Sequence, residues 1–343
     1  MKNALAHAFS YKATTLYLLV ALYAVVSAML YGDALSRQFS SMLVTVSCYM
    51  VLAVSLNLVV GFLGELSLGH AGFMSVGLFT GCMFSIQTVD VLPLAVRLPL
   101  AMLIGGLAAA VIGLVVGLPA LRLNGDYLAI VTLACGEIIK NVITNLDVTG
   151  GALGLNTNPI YQKSKVLLPY AIILVFITVI VMLNMQNSRH GRAIMAIRDN
   201  RIAAEACGVH VTYYKLLVFV LAAFFAGMAG VLYGHCFANV KAATFDYNMS
   251  IEILVIVVLG GMGSVRGSIL AAVILRVLPE ALRIPGFSRI RMLLYSIVLI
   301  LIMLLNASPK FAEMKGRWSI RTMLQTLRGK KPGSGKKEAQ TNG

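Results

Sequence analysis

Apolar runs of about 20 residues recur along this chain, each long enough to cross a hydrocarbon core of roughly 30 Å at 1.5 Å of helical rise per residue. Val166–Met185 and Tyr214–Tyr233 are the clearest pair. Similar runs are read at Thr14–Tyr31, Met42–Val60, His70–Ile86, Leu98–Leu118, Tyr127–Asn145 and Met292–Leu305. With 59% apolar and 12% charged residues and a mean hydropathy of +0.87, the chain reads as a membrane protein rather than a soluble domain. The expected fold class is an all-α polytopic membrane protein of about nine to ten transmembrane helices.

The net charge of +15 is unevenly placed. Between Val166–Met185 and Tyr214–Tyr233 lie Arg189, Arg192, Arg198 and Arg201, with Lys215 at the very start of the second run, against only Asp199 and Glu205. A second basic cluster follows Asn306, with nine Lys and Arg from Lys310 to Lys337 against Glu313 and Glu338. Short Lys/Arg-rich loops are retained on the cytosolic side. This gives a cytosolic N-terminus at 1–13, a transmembrane region at 14–306 with a cytosolic insert at 187–213, and a cytosolic tail at 307–343. Anionic lipid is the expected partner of these charges; no soluble part is large enough for a nucleic-acid domain. The apolar run Leu16–Leu30 is long for a secretory leader and lacks a small-residue cleavage site, so it reads as a first anchor.

One segment interrupts the pattern. Met249–Leu259 is too short to cross alone, Gly260–Gly267 reads GGMGSVRG, and Ser268–Leu282 is apolar again. Counting these as two helices puts an even number of crossings between the basic insert and the basic tail, so both face the cytosol; one kinked span would leave the tail outside. A break at Gly261 and Gly263 is therefore expected, buried in the bundle or at a cytosolic vestibule.

Polar groups within the spans supply candidates for a translocation path. Asn57, Glu65 and His70 are interleaved with Gly61, Gly64, Gly69, Gly72, Gly77 and Gly81, a spacing that serves close helix packing or a broken helix along a pathway. Glu137 and Lys140 share a helical face, as a structural ion pair or as path-lining groups. Asn57, Glu65, His70, Glu137, Gly261 and Gly263 are the residues singled out. The turn-rich stretch Asp147–Pro159 is expected on the outer side.

Catalysis finds no support: HExxH, the Walker A loop, GxSxG and DFG-type sites are all missing from the sequence, and its five histidines are scattered. The five cysteines show neither CxxC spacing nor nearby histidines, so packing is expected of them, and no cofactor or metal is implied. Energy for uphill movement must come from an ion gradient or another subunit. The insert GRAIMAIRDNRIAAEACGV favours the second: Ile194, Ile197, Ile202 and Ala206 predict one amphipathic helix stopped by Gly208, suited to docking on a motor domain. Arg192, Arg198, Asp199, Glu205 and Gly208 are its candidate coupling residues.

AAEACG within that insert resembles the coupling segment of ABC importer permeases. LNLVVGFLGELSLGHAGFMSVG (Leu56–Gly77), LRLNGDYLAIVTLACGEIIKNVI (Leu121–Ile143), AGMAGVLYG (Ala226–Gly234) and LGGMGSVRGSILAAVILRVLPEALR (Leu259–Arg283) resemble, in order, the LivM-type permeases of branched-chain amino acid importers. The resemblance implies a type II-like permease bundle in the bacterial inner membrane. It also implies a LivH-like second permease, two cytosolic ABC ATPase subunits and a periplasmic solute-binding protein as partners, with ATP hydrolysed by the partners and not by this chain. Two departures stand out. The family's Gly-Gly-Pro-Asn-Gly is Gly150, Gly151, Ala152, Leu153 and Gly154 here, and the last span ends NASPKFAEMKGRWS instead of an Arg-Pro-x-Gly-Leu-like run. Ile320, Met323, Leu324 and Leu327 fit a basic amphipathic helix on lipid, with an unstructured tail as the alternative. Urea, short amides or aromatic acids are alternative substrates, and an ion-coupled secondary transporter is the rival from another class.

Overall fold

A computed structural model describes Tyr23, residues 37–123 and 125–281, and Ser296, Ile297 and Ile300. The rest of the expected first and last spans, Asn124 and both termini lie outside the described residues. The chain divides into two units, Met1–Val277 and Leu278–Gly343. The architecture that follows is that of the first.

It is an all-α bundle. Helix α1 (Arg37–Asn57) runs directly into a π-helical segment, Leu58–Leu63, and is followed by α2 (His70–Gln87), α3 (Leu94–Ala120), α4 (Asp126–Asn145) and α5 (Ser164–Asn187). Then come two short helices, α6 (Arg189–Asp199) and α7 (Arg201–Ala206), the long α8 (Val211–Gly234), α9 (Tyr247–Gly260) and α10 (Val265–Ala281). Six segments among the described residues are long and apolar enough to cross a membrane: Ser41–Leu63, Leu94–Ala120, Asp126–Asn145, Ser164–Asn187, Val211–Gly234 and Ala242–Gly260. The expected span His70–Ile86 is the helix α2, but it is not among these six. The run expected at Met249–Leu259 forms only 14 residues of helix, about 21 Å, and reaches spanning length by adding the turn at Ala242–Thr244.

The core is built on glycine. Helices α2, α3 and α8 approach so closely that a Cβ on Gly77 would overlap the backbone of Gly227, and one on Gly227 would fall 2.6 Å from Ala109 Cβ and 2.7 Å from the Gly105 carbonyl. In lipid, where apolar side chains gain little by leaving the solvent, close backbone contact is the main source of helix association. Helix α1 is almost wholly inside, with 89% of the most apolar stretch of Ser41–Leu63 buried. Helix α4 is the opposite case at 28%: Tyr127, Ile130, Ile138 and Val142 are all exposed.

Away from the basic insert, the loop after α4 is organised by three 3-10 turns and by a two-residue strand β1 (Leu155–Asn156), paired antiparallel with β2 (Asn239–Val240). The Thr157 side chain donates to the Phe237 carbonyl at 2.6 Å and its N–H to Ala238 at 3.0 Å, so the loop is pinned to the chain leaving α8. Gly150, Gly151 and Gly154 all have positive φ, and at Gly154 any Cβ would crowd the Val240 carbonyl. That keeps the departure from the family pattern compatible with a tight turn.

Candidate functional site

The insert joins the C-terminus of α5 to the N-terminus of α8 as two helices at an angle, not one. Ser188 caps α6, its Oγ accepting from the Gly191 N–H at 3.1 Å. Asn200 then leaves helical geometry (φ −157°) and its Oδ1 accepts from the Ala203 N–H at 3.0 Å, so one residue ends α6 and starts α7. This corrects the expectation of a single amphipathic helix. Ile194 and Ile197 are buried against the bundle, whereas Ile202, in the second helix, is 80% exposed and Ala206 is exposed as well. The break at Asn200 turns the second half of the apolar stripe away from the bundle.

Gly208 ends α7 as expected. It has φ +83°, its N–H reaches the Glu205 carbonyl and the Val209 N–H reaches Ala204, the paired bonds of a left-handed helix stop. Glu205 pairs with Arg201 at 3.2 Å on an exposed surface. Glu205, Gly208 and Val209–Tyr213 line an open hollow of about 700 Å³. Arg192 is exposed and reaches the Asn187 carbonyl at 3.4 Å.

Arg198 is more committed. Nε and Nη2 hold Asp199 Oδ1 at 3.1 and 2.9 Å, while Nη1 donates to the backbone carbonyl of Gly61 at 3.1 Å. Gly61 lies in the π-helical segment that ends at Gly64 (φ +78°), and the aliphatic stem of Arg198 lies over Gly64. On its other side Gly61 abuts Gly263, where a Cβ would collide with both Asn57 Oδ1 and the Gly263 amide. Asn57 is fully buried: Oδ1 accepts from the Gly263 N–H at 2.8 Å and Nδ2 donates to Ser268 Oγ at 3.0 Å. Gly261 and Gly263 have φ of +90° and +82°, and Ser264 Oγ accepts from Gly267 N to start α10. The predicted glycine break between two helices is thus present, and the insert is hydrogen-bonded to one side of it.

The remaining path candidates are dispersed. Glu65 follows the π-helical segment and forms an ion pair with Lys215 near the N-terminus of α8; Lys215 is 2% exposed and Glu65 Oε2 is buried without a hydrogen-bond partner. His70 is buried at the start of α2, its Nε2 2.9 Å from Ser55 Oγ. Glu137 pairs with Lys140, as the spacing implied, and its Oε1 also accepts from the Tyr247 N–H at 2.9 Å. It therefore joins α4 to the N-terminus of α9, next to the Asp246 cap.

A family model described as the branched-chain amino acid transport system permease component matches residues 38–303. The chain belongs to this permease family. The high-affinity branched-chain amino acid transport system permease proteins LivM of Escherichia coli (strain K12) and Salmonella typhimurium are each 34% identical over 291 residues. Those alignments cover 75% of this chain and 66% of each relative, so the chain spans just under two thirds of their length. The ribose import permease protein RbsC of Haemophilus influenzae is 25% identical over 275 residues, covering 74% of this chain and 80% of that one. No solved structure matches.

For a permease of this family, one cluster escaped the sequence reading. Glu252 of α9 accepts from Arg276 Nη1 of α10 at 3.0 Å and from the Tyr49 hydroxyl of α1 at 3.4 Å, and the Arg276 guanidinium lies 3.7 Å from the centre of the Tyr49 ring. Its signal was a lone carboxylate in SIEILVIVVL and a lone cation in AAVILRVL. Among the described residues no group of three or more His, Cys, Asp and Glu is placed to hold a metal ion.

Proposed function

We propose that this chain is the translocating subunit of an ABC importer for branched-chain amino acids. It would work in the bacterial inner membrane beside a LivH-like permease, two cytosolic ATPase subunits and a periplasmic solute-binding protein. The observation that carries the reading is the hydrogen bond from Arg198, in the insert, to Gly61, which abuts the glycine break beneath α9 and α10. Family membership and the names of its relatives support it.

In this mechanism the exposed surface around Ile202, Glu205 and Gly208 docks into a groove on the motor, which places the insert on the cytosolic side, as its charges require. Closure of the motor on ATP displaces α6, and Arg198 carries the displacement to the π-helical segment. Asn57 and Gly61 pass it to Gly263, so α9 and α10 shift and the pathway turns outward to take substrate from the binding protein. Hydrolysis resets it. The sequence carries no ATPase motif, so energy for uphill movement would come from such a motor or from an ion gradient. The ion-coupled alternative loses ground because Glu137, its best carboxylate, already holds Lys140 and the N-terminus of α9.

Purification in mild detergent with mass spectrometry of the co-eluting chains, followed by ATP-dependent leucine uptake in proteoliposomes, tests the assignment. A second permease, nucleotide-binding subunits and ATP-dependent uptake are expected. A chain recovered alone that moves solute on a proton gradient without ATP overturns it. Uptake of urea, an amide or ribose in place of leucine would retain the importer and replace its substrate.

A further inference from the structure

Glu252, Arg276 and Tyr49 stand where charge is costly. Tyr49 is about 12 Å of helix from Ser41 and about 21 Å from Leu63, well inside its span, and Arg276 is about 17 Å along α10 from Val265. The pair is nevertheless not closed off: the Arg276 and Glu252 side chains are 25% and 31% exposed. Half-exposed charges at such depth are strongly disfavoured against lipid and are found facing a bundle interior or a watery cavity. Only one of the five guanidinium N–H groups has a carboxylate partner among the described residues, so Arg276 retains donors. Glu252 receives two donors and retains acceptor sites.

We infer that Glu252 and Arg276 form a binding site for the α-ammonium and α-carboxylate of a zwitterionic amino acid on the translocation path. The inference rests on the importer reading and assigns the chemistry of its pathway. A guanidinium binds a carboxylate through two parallel hydrogen bonds, and a carboxylate accepts from an ammonium, so one ion pair exchanges for two with no net change in charge. Tyr49 holds the guanidinium plane by stacking and thereby fixes the direction of its free edge. The two charges are on the helices flanking the glycine break, α9 and α10. A shift at Gly263 would part them and admit substrate; their return would close the ion pair and expel it.

The test uses the assembled importer in proteoliposomes with leucine as probe. E252Q/R276Q removes both charges, nearly isosterically at 252 and with a shorter, uncharged amide in place of the guanidinium at 276. It is expected to co-purify with its partners and to lower leucine uptake at least about tenfold, the loss expected of charge-assisted bonds. R276K keeps the cation without the planar fork and should raise the KM several-fold more than it lowers kcat. Val255 lies one helical turn from Glu252 on α9. In V255C, with a non-hydrolysable ATP analogue present, maleimide labelling should be slower with leucine-loaded than with empty binding protein. Wild-type uptake by E252Q/R276Q, or V255C labelling indifferent to leucine, overturns the site. Should E252Q/R276Q fail to assemble, the V255C measurement on the native pair decides alone. Failure of the wild-type importer to move any amino acid overturns the importer reading itself, a distinguishable result.

Discussion

Arg198 and Gly61 are 137 residues apart in sequence, and a guanidinium-to-carbonyl hydrogen bond of 3.1 Å joins them. It connects a half-buried helix of the insert to a buried π-helical segment, a type of irregularity that recurs where helices carry function.

Replacing Arg198 with alanine removes that connection and the contact of its stem with Gly64. Leucine uptake should fall about tenfold, from loss of a charge-assisted hydrogen bond of roughly 1.5–3 kcal/mol, and more ATP should be consumed per leucine imported. Simultaneous measurement of phosphate release and uptake checks this. An unaltered ratio would remove Arg198 from the coupling route.

Gly61 tolerates no side chain. In Gly61→Ala the new methyl must displace the Gly263 backbone or eject Asn57 from its two hydrogen bonds, at a cost of about 1–3 kcal/mol or more. A lower yield of assembled complex and a lower melting temperature in detergent are expected. At Gly208 the surrounding space is open, and only its positive φ opposes alanine, so Gly208→Ala should be the milder change.

The Glu65–Lys215 pair calls for a double-mutant cycle. Lys215→Met alone leaves Glu65 as an uncompensated, mostly buried charge and should cost about 3–5 kcal/mol, whereas K215M with E65L should recover most of that loss. Melting of the detergent-solubilised variants reads the difference. A double variant no better than the single one would mean that the charges, not their pairing, matter there.

Ile202, at 80% exposed, contributes almost nothing to the packing of this chain. Ile202→Glu should therefore change its own stability by no more than about 0.5 kcal/mol while sharply reducing recovery of the nucleotide-binding subunits in a pull-down. Undiminished recovery would move the docking surface elsewhere on the insert.

The long spans were legible because apolar length alone specifies a helix in lipid: the predicted Val166–Met185 and Tyr214–Tyr233 became Ser164–Asn187 and Val211–Gly234. The glycine break was legible because residues 260–267 carry too many glycines for a continuous helix. The bend at Asn200 was not, because the apolar spacing of Ile194, Ile197 and Ile202 runs across it, and only the side chain's bond to Ala203 shows that the residue caps a new helix. The roles of Glu65 and Glu252 were hidden for another reason. Their partners, Lys215 and Arg276, lie 150 and 24 residues away, and local spacing, which did reveal Glu137 with Lys140, carries no information about such pairs.

The glycine seams of α2, α3 and α8 bear on which parts are free to move. With backbone against backbone at Gly77 and Gly227, these helices have no compressible layer of side chains between them, and sliding one past another would drive methyl groups into main chain. In the proposed transport cycle they would act as a single stator. Displacement would then fall to elements held by fewer neighbours, with α4, the least enclosed of the six spans among the described residues, and the short α9 bonded to it through Glu137 as the natural rotor.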